Sequence, residues 1–383
     1  MGQGWSREQV RWSIDPSGFE CGLRKLAERG IHLRADGSLS PCVLSSGGLT
    51  IDVVLWGQAR KLHSFLLNAL ENHDEQQLRD LLVHDERQLA RLNSCSGLVA
   101  GRWLSMFPAS WWPKFEDSSF IMALRFRCGL ILAPAGQKCM HAKVKDRQVR
   151  CEQCMDGFGD HAVSCSFGGH LFTRHGAINC VVAEAGRVAG YTAYSEQVVP
   201  ELCQVVVQIG GAVKIREARV DVELFGHAYA PNYLVDGTVK HPAASTYVHR
   251  ASQDVGYTAE EGVKSKAKRY PLAHGKSVIA CSMESWGRTS ESFDVLLIDL
   301  AALASRRQRE RGMQPTKWLA KWQTQLSLSV AIHVGRALFD SLGQQHQREF
   351  FSNQVSPQFN GADVLDERSA LDEGVGSESM VGD

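Results

Sequence analysis

Two groups of residues have the types and spacing to do chemistry. In the first, Cys151-x2-Cys154-x6-His161-x3-Cys165 places four soft or borderline ligands within fifteen residues. A tetrahedral Zn²⁺ site takes two ligands from a tight turn and two from the returning segment, and this spacing supplies both pairs. No open ligand position is evident, so a metal here would be structural. Cys139 is a spare candidate ligand just upstream. Between residues 136 and 150, Lys138, His141, Lys143, Lys145, Arg147 and Arg150 face the single acid Asp146. Such a strip suits contact with phosphates, and a solvated basic loop would look the same.

The second group is acidic. Arg219-Val220-Asp221 lies in one alternating, strand-like run and Val235-Asp236-Gly237 in the next. The connection between them holds Gly226, Pro231 and Asn232 and reads as a hairpin. A reversal centred near Tyr229 sets Asp236 within one position of the residue opposite Asp221. Directly opposed side chains on neighbouring strands have Cβ atoms about 4.5–5.5 Å apart. Two carboxylates that close repel unless a cation lies between them, and hard oxygen ligands favour Mg²⁺ or Mn²⁺. A metal so held polarises a phosphate and acidifies an attacking water. The cation needed beside the developing charge would come from Lys264, Lys266 or Lys268 on the following helix pattern, or from Lys240 just after the second aspartate. Exposed strand-edge aspartates beside a solvated lysine face are the plainer reading, but their joint placement favours the metal site.

The elements that must position these groups can be read from periodicity. Residues 58–92 read as helical, with Leu78, Leu82, Leu89 and Leu92 on one face, and two compact apolar segments follow at 98–107 and 120–132, joined by a Trp-rich turn at 109–113. A helix over 172–189, stopped by Gly190, precedes strand-like runs at 196–209, 218–225 and 233–239. A helix at 254–269 and a strand at 276–282 complete an α-β-β-β-α-β order. Arg306, Arg307, Arg309 and Arg311 then lead into a long amphipathic helix opening at Lys317-Trp318, and beyond Gln354 the chain turns acidic and Gly/Ser-rich. Cys180 and Cys281 fall on apolar faces as inert core thiols.

Composition narrows the class. Lys+Arg and Asp+Glu are equal at 42 each in 383 residues, so any electrostatic function must come from local clustering. No apolar run approaches the roughly 18 residues of a membrane span, and residues 1–15 lack the apolar centre of a secretory signal. Eleven scattered cysteines do not read as a disulfide framework, which points to a reducing, intracellular compartment. No Gly-x-Ser-x-Gly elbow or phosphate-binding loop is present.

The Cys/His knuckle, the run Gly159-Asp160-His161-Ala162, the pair Arg174-His175 and the spaced aspartates resemble the C-terminal region of non-LTR retrotransposon reverse transcriptases that carry a restriction-like endonuclease. The likeness spans roughly residues 85–300. The family motif runs Arg/Lys-Pro-Asp, then Asp or Glu a dozen or so residues on, then Lys-x-x-Lys-Tyr. Here Arg219-Val220-Asp221 is followed by fourteen residues and Asp236, and later by Lys266-Ala267-Lys268-Arg269-Tyr270. The resemblance implies a PD-(D/E)xK restriction-endonuclease-like core in a mixed α+β protein, with a small zinc knuckle and flanking α-helical regions. It further implies nicking of DNA, Asp221 and Asp236 as Mg²⁺ (or Mn²⁺) ligands, Lys266 as the catalytic lysine, and Cys151, Cys154, His161 and Cys165 as ligands of a structural Zn²⁺. Arg174, His175, Lys143, Lys145, Arg150 and Lys264 are then the candidate nucleic-acid contacts, for DNA or RNA, in a nuclear protein without a membrane partner.

Three departures stand out. Val220 replaces the motif proline, Gly176 the polar residue after Arg-His, and Thr238 occupies the position of the simplest (D/E)xK lysine. No paired-aspartate polymerase motif is present, so a separate or upstream reverse-transcriptase module would have to supply synthesis. The expected organisation is a helical region over 1–135, the basic strip and knuckle over 136–170, the nuclease over 171–300, basic helices over 301–350 and an acidic disordered tail. Two alternatives remain: a retroelement fragment that binds nucleic acid through its zinc but no longer cuts, and a helical interaction protein without zinc.

Overall fold

The computed structural model describes residues 74–106, 115–133, 136–207, 213–227, 230–271, 277–307, 314–343 and 347. The Trp-rich turn, Arg309, Arg311, Tyr229 and the acidic tail lie outside them. The chain forms two compact units: one takes residues up to Asn93 together with Ser245–Val255, the other Ser94–Ala244 and Gly256 onward. Among the described residues, no helix is long and apolar enough to cross a membrane.

Within the first unit the helix expected over 58–92 is broken in its described part. Residues 74–81 are helical, and α1 (Glu86–Cys95) starts anew after Asp85. The Asp85 carboxylate accepts the Gln88 N–H at 3.0 Å, satisfying a donor that a new helix start leaves orphaned. Asn93 of α1 donates to the carbonyls of Ala251 and Ser252 at 2.9 and 3.0 Å, tying it to the end of the short α5 (Val248–Gln253).

The second unit is mixed α+β. Its helices are α2 (Asp117–Cys128), α3 (Asp160–Ser164), α4 (His170–Ala189), α6 (Tyr257–Arg269), α7 (Glu291–Arg307) and α8 (Pro315–Ser341). A four-stranded sheet has the order β1-β4-β5-β6, from β1 (Thr192–Val198), β4 (Arg219–Phe225), β5 (Tyr233–Lys240) and β6 (Val278–Glu284). Its first three strands run antiparallel, and β6 lies parallel to β5, with α6 as the crossover. The single strand expected over 196–209 is instead β1, a 3₁₀ turn at Pro200–Leu202, and β2 (Gln204–Val207). β2 pairs with β3 (Val213–Arg216) as a separate hairpin inserted before β4. Pro200 lacks the N–H that a continuous ladder would need.

Small residues let the helices approach the sheet. A β-carbon at Gly186 of α4 would collide with Leu224, and one at Gly262 of α6 with Ser282. On β6, Cys281 and Met283 are buried with α4 and α7 residues while Ser282 faces Gly262, which is the two-face alternation of a strand.

The C-terminal helix departs from the amphipathic expectation. Trp318, Trp322, Leu326, Val330, Val334 and Leu338 recur every fourth residue in the main core, and Leu328, Ala331 and Ile332 join a second cluster with Trp103 and Ala123. Gly335 approaches the Ser119 carbonyl so closely that no side chain fits. A helix buried on most of its circumference, with Lys317, Lys321 and Asp340 left exposed, is an internal packing element rather than a surface one.

Candidate functional site

The Cys/His group is built by an irregular hairpin followed by α3. Isolated bridges pair Lys138 with Cys154 and Ala142 with Arg150. Between them Cys139 N–H donates to the Gln153 carbonyl and Cys151 N–H to the His141 carbonyl, both at 2.8 Å. In this register residues 139, 141, 151 and 153 share one face and 138, 142, 150 and 154 the other. Cys139 is therefore buried and turned toward Cys151, while Cys154 is exposed. The Asp156 carboxylate then accepts the N–H groups of Phe158, Asp160 and His161 at 2.8–3.0 Å, capping the start of α3. His161 and Cys165, four apart, lie on one side of that short helix.

Cys139, Cys151, His161 and Cys165 thus offer ligand atoms within 4.8 Å of one another, with Cys151 Sγ 3.4 Å from His161 Nε2. This corrects the ligand set expected from spacing. Cys139 is in the group and Cys154, exposed, is not; the backbone between Cys151 and Cys154 passes through Glu152 at a left-handed φ of 55°. Burial, together with the neighbouring thiols, pushes Cys165 up to about 12, and burial also raises Cys139. Thiols so placed resist ionisation until a cation supplies the compensating charge. Three thiols and one imidazole are the donor set of a closed tetrahedral zinc site.

The basic residues around this cluster divide. Lys143, Lys145 and Arg150 are exposed, with Lys143 Nζ 5.7 Å from the Phe167 ring centre. Arg174 is not available to a nucleic acid, which corrects its expected role. It is 4% exposed, its Nη1 donates to the Val163 carbonyl at 3.3 Å, and burial pulls its guanidinium down to about 10. Its position on the inner face of α4 makes it a brace for the end of α3. Cys180, expected in the core, is exposed on the same helix, whereas Cys281 is fully buried.

The acidic group assembles where β4 and β5 fork. Their ladder runs from Leu224↔Tyr233 to Val222↔Val235, a register that sets Asp221 opposite Asp236. There the pairing stops. Asp221 Oδ2 accepts the Gly237 N–H at 2.6 Å, while β5 continues beside β6 as far as Glu284. On its other side Asp221 is in register with Glu196 of β1, which takes a left-handed φ of 53°; backbone strain of this kind collects at functional sites.

Two helices complete the group. From α6, Lys266 forms an ion pair with Asp236 Oδ1. From α4, His175 Nε2 lies 3.0 Å from Asp221 Oδ2 and 3.1 Å from the Gly237 carbonyl. His175, Asp221 and Asp236 offer ligand atoms within 4.8 Å of one another. Tyr270, at the end of α6, donates its hydroxyl to the Arg219 carbonyl at 2.6 Å and fastens that helix to β4. Gly262 explains the displaced lysine. The helix passes so close above Thr238 and Ser282 that a β-carbon at 262 would collide with both, and one turn later it delivers Lys266 to Asp236. Lys268 is exposed, Lys264 is exposed and paired with Glu261 at 2.7 Å, and Lys240 lies four residues along β5, about 13 Å from Asp236. Neither alternative lysine joins the group.

The electrostatics separate the two carboxyls. Burial disfavours ionisation of Asp221, but hydrogen bonds with His175, Asp236 and Gly237 outweigh it and bring the group down to about 2. Burial and the adjacent Asp221 raise Asp236 against the opposing pull of Lys266 and Tyr270. The hydrogen bond to Asp221 raises His175, with burial opposing it. The sequence reading missed the part played here by His175, Gly237 and Tyr270. The alternation Asp-Gly in β5, one helix turn of spacing between His175 and Asn179, and the tyrosine closing α6 were the available signals.

No protein-family model, no curated protein and no solved structure matches this chain.

Proposed function

We propose that the chain is a divalent-metal-dependent nuclease that nicks DNA, with a zinc-bound hairpin beside the catalytic core. The observation that carries this reading is Asp221 opposed to Asp236 across a strand fork, with Lys266 ion-paired to the second carboxylate. The element order α4-β1-β4-β5-α6-β6 fits a PD-(D/E)xK core with the β2–β3 hairpin inserted.

The residues fit the cation that such a core uses: two carboxylates facing each other at a fork, with little solvent around them. Bound between Asp221 and Asp236, Mg²⁺ or Mn²⁺ would supply phosphate polarisation and an acidified water. Asp221 holds its charge through His175 and the Gly237 N–H. Lys266 is 14% exposed in its side chain and keeps its ammonium at the carboxylate pair, placed to meet negative charge developing on a phosphate. Cys139, Cys151, His161 and Cys165 would hold Zn²⁺ and fix the hairpin that carries the exposed Lys143, Lys145 and Arg150. Those residues would track the phosphate backbone of DNA, or of RNA. A separate or upstream polymerase module is the partner this reading calls for.

Nicking of supercoiled plasmid in Mg²⁺ or Mn²⁺ tests the proposal. Wild-type protein should nick and Asp221→Ala should not. Equal behaviour of the two would remove the enzyme and leave the binding-only reading, which the exposed basic strip supports.

A further inference from the structure

Asn179 sits one helical turn beyond His175 and contacts its ring: the amide nitrogen lies 3.3 Å from Nδ1. The residue is 8% exposed, and its side-chain oxygen is buried without a hydrogen-bond partner, pressed against Gly237. Without a cation, Nε2 donates toward two acceptors, Asp221 Oδ2 and the Gly237 carbonyl; when a cation takes the place of that proton, a half-rotation of the amide would bring the Asn179 oxygen to Nδ1 to accept the ring N–H and leave the Nε2 lone pair for the cation. Ligating histidines are held in this way, with the second ring nitrogen donating to a fixed acceptor. Gly237 is part of the same arrangement, since a β-carbon there would meet both Asn179 and His175 Nε2.

We infer that the Asp221–Asp236 site is a mixed nitrogen–oxygen cation site in which His175 Nε2 is the third protein ligand, oriented by Asn179, and which selects a transition-series divalent cation such as Mn²⁺ over Mg²⁺. The inference rests on the nuclease reading of the same carboxylates. Adjacent ligands of an octahedral cation with bonds near 2.1 Å stand about 3.0 Å apart, and His175 Nε2 is 3.0 Å from Asp221 Oδ2. Imidazole is a favourable ligand for transition-series ions, whereas Mg²⁺ keeps its waters and prefers oxygen. His175 is the candidate ligand and Asn179 the positioning residue.

The test is Mn²⁺ binding to the full zinc-loaded chain, followed by electron paramagnetic resonance and competed with Mg²⁺. Wild type should bind Mn²⁺ at least tenfold more tightly than Mg²⁺ and show imidazole-nitrogen modulation in the spin echo. His175→Ala should lose that modulation and most of the Mn²⁺ preference, and Asn179→Ala should weaken Mn²⁺ about tenfold, with Asn179→Asp restoring it. Unchanged modulation and an unchanged Mn²⁺/Mg²⁺ ratio in His175→Ala would overturn the inference. If Asp221→Ala still abolishes binding and nicking in that event, the nuclease reading stands. Retained binding in Asp221→Ala would overturn both. Zinc content and circular dichroism of each variant report that it is folded.

Discussion

The two candidate metal groups are made in opposite ways. The Cys/His cluster comes from one continuous stretch of twenty-seven residues, Cys139 to Cys165, in which a hairpin and a five-residue helix carry all four candidate ligands. The acidic cluster draws on α4, β4, β5 and α6, so its ligands from His175 to Lys266 span most of the core. A local cluster depends on a few turns and needs its metal to hold them. A cluster built from packed elements is held by the core, and its metal is free to serve chemistry. On the proposed reading the contrast is between a metal that would fold the chain and a fold that would prepare a metal site.

Metal removal should expose this difference most strongly. Stripping Zn²⁺ with a chelator is expected to unravel the 136–165 segment, because binding free energy at such sites is folding free energy. Cys139→Ser should reproduce that loss and Cys154→Ser should behave as wild type in zinc content and melting temperature. If Cys154→Ser releases the metal and Cys139→Ser does not, Cys139 is not a ligand and Cys154 is. Removing Mg²⁺ or Mn²⁺ should leave the melting temperature nearly unmoved, apart from ordinary mass-action stabilisation.

Changes at the lysines should come next in size. Lys266→Met removes the ammonium beside Asp236 and is expected to slow nicking about 10²–10³-fold. Lys268→Ala and Lys240→Ala, neither of which reaches the carboxylates, should nick within a fewfold of wild type. A large defect in Lys268→Ala with a small one in Lys266→Met would mean that α6 turns about its axis before it acts, bringing Lys268 to the carboxylates.

The parts legible in the sequence were those set by strand register. A hairpin centred near Tyr229 sets Asp236 within one position of the residue opposite Asp221, and the ladder register places it directly opposite. The helix stop at Gly190 was equally readable, and the residue adopts the left-handed φ of 95° that favours glycine. Spacing failed where side-chain direction decides. Cys151-x2-Cys154 has the separation of a knuckle, but Cys154 is exposed and Cys139, twelve residues before Cys151, is the thiol that faces the group. Arg174 and His175 are neighbours in sequence, and the hundred-degree step of a helix sends one into the core and the other to the aspartates. The buried character of α8 was hidden for another reason: Lys317, Lys321 and Arg336 mark one polar edge, and only partners distant in sequence show that the remaining faces are all covered.

The smallest effect concerns how α6, and with it Lys266, is seated on the sheet. Glu284, at the end of β6, is 2% exposed and accepts the Ala259 N–H at 3.1 Å, so a buried carboxyl caps the start of that helix. Burial raises it above the ordinary range, against hydrogen bonds from Ser94 and the Ala259 and Thr258 N–H groups and the charge of Arg288. For an acid whose folded value lies above its unfolded one, the fold favours the protonated form. Its contribution to stability is complete below the unfolded pKa and is lost as pH rises through the folded one. Glu284→Gln keeps an acceptor for the helix N–H groups without the buried charge. Denaturant unfolding of both proteins across pH 4 to 8 should therefore show wild type losing stability relative to the variant as pH rises, with nicking by the variant close to normal. Parallel stability curves would mean that the carboxyl is relieved of its burial penalty by the helix start. A variant that folds but no longer nicks would mean that α6 needs the charge to hold Lys266 in place, so that the acidic site, too, would depend on a local electrostatic tie and not on packing alone.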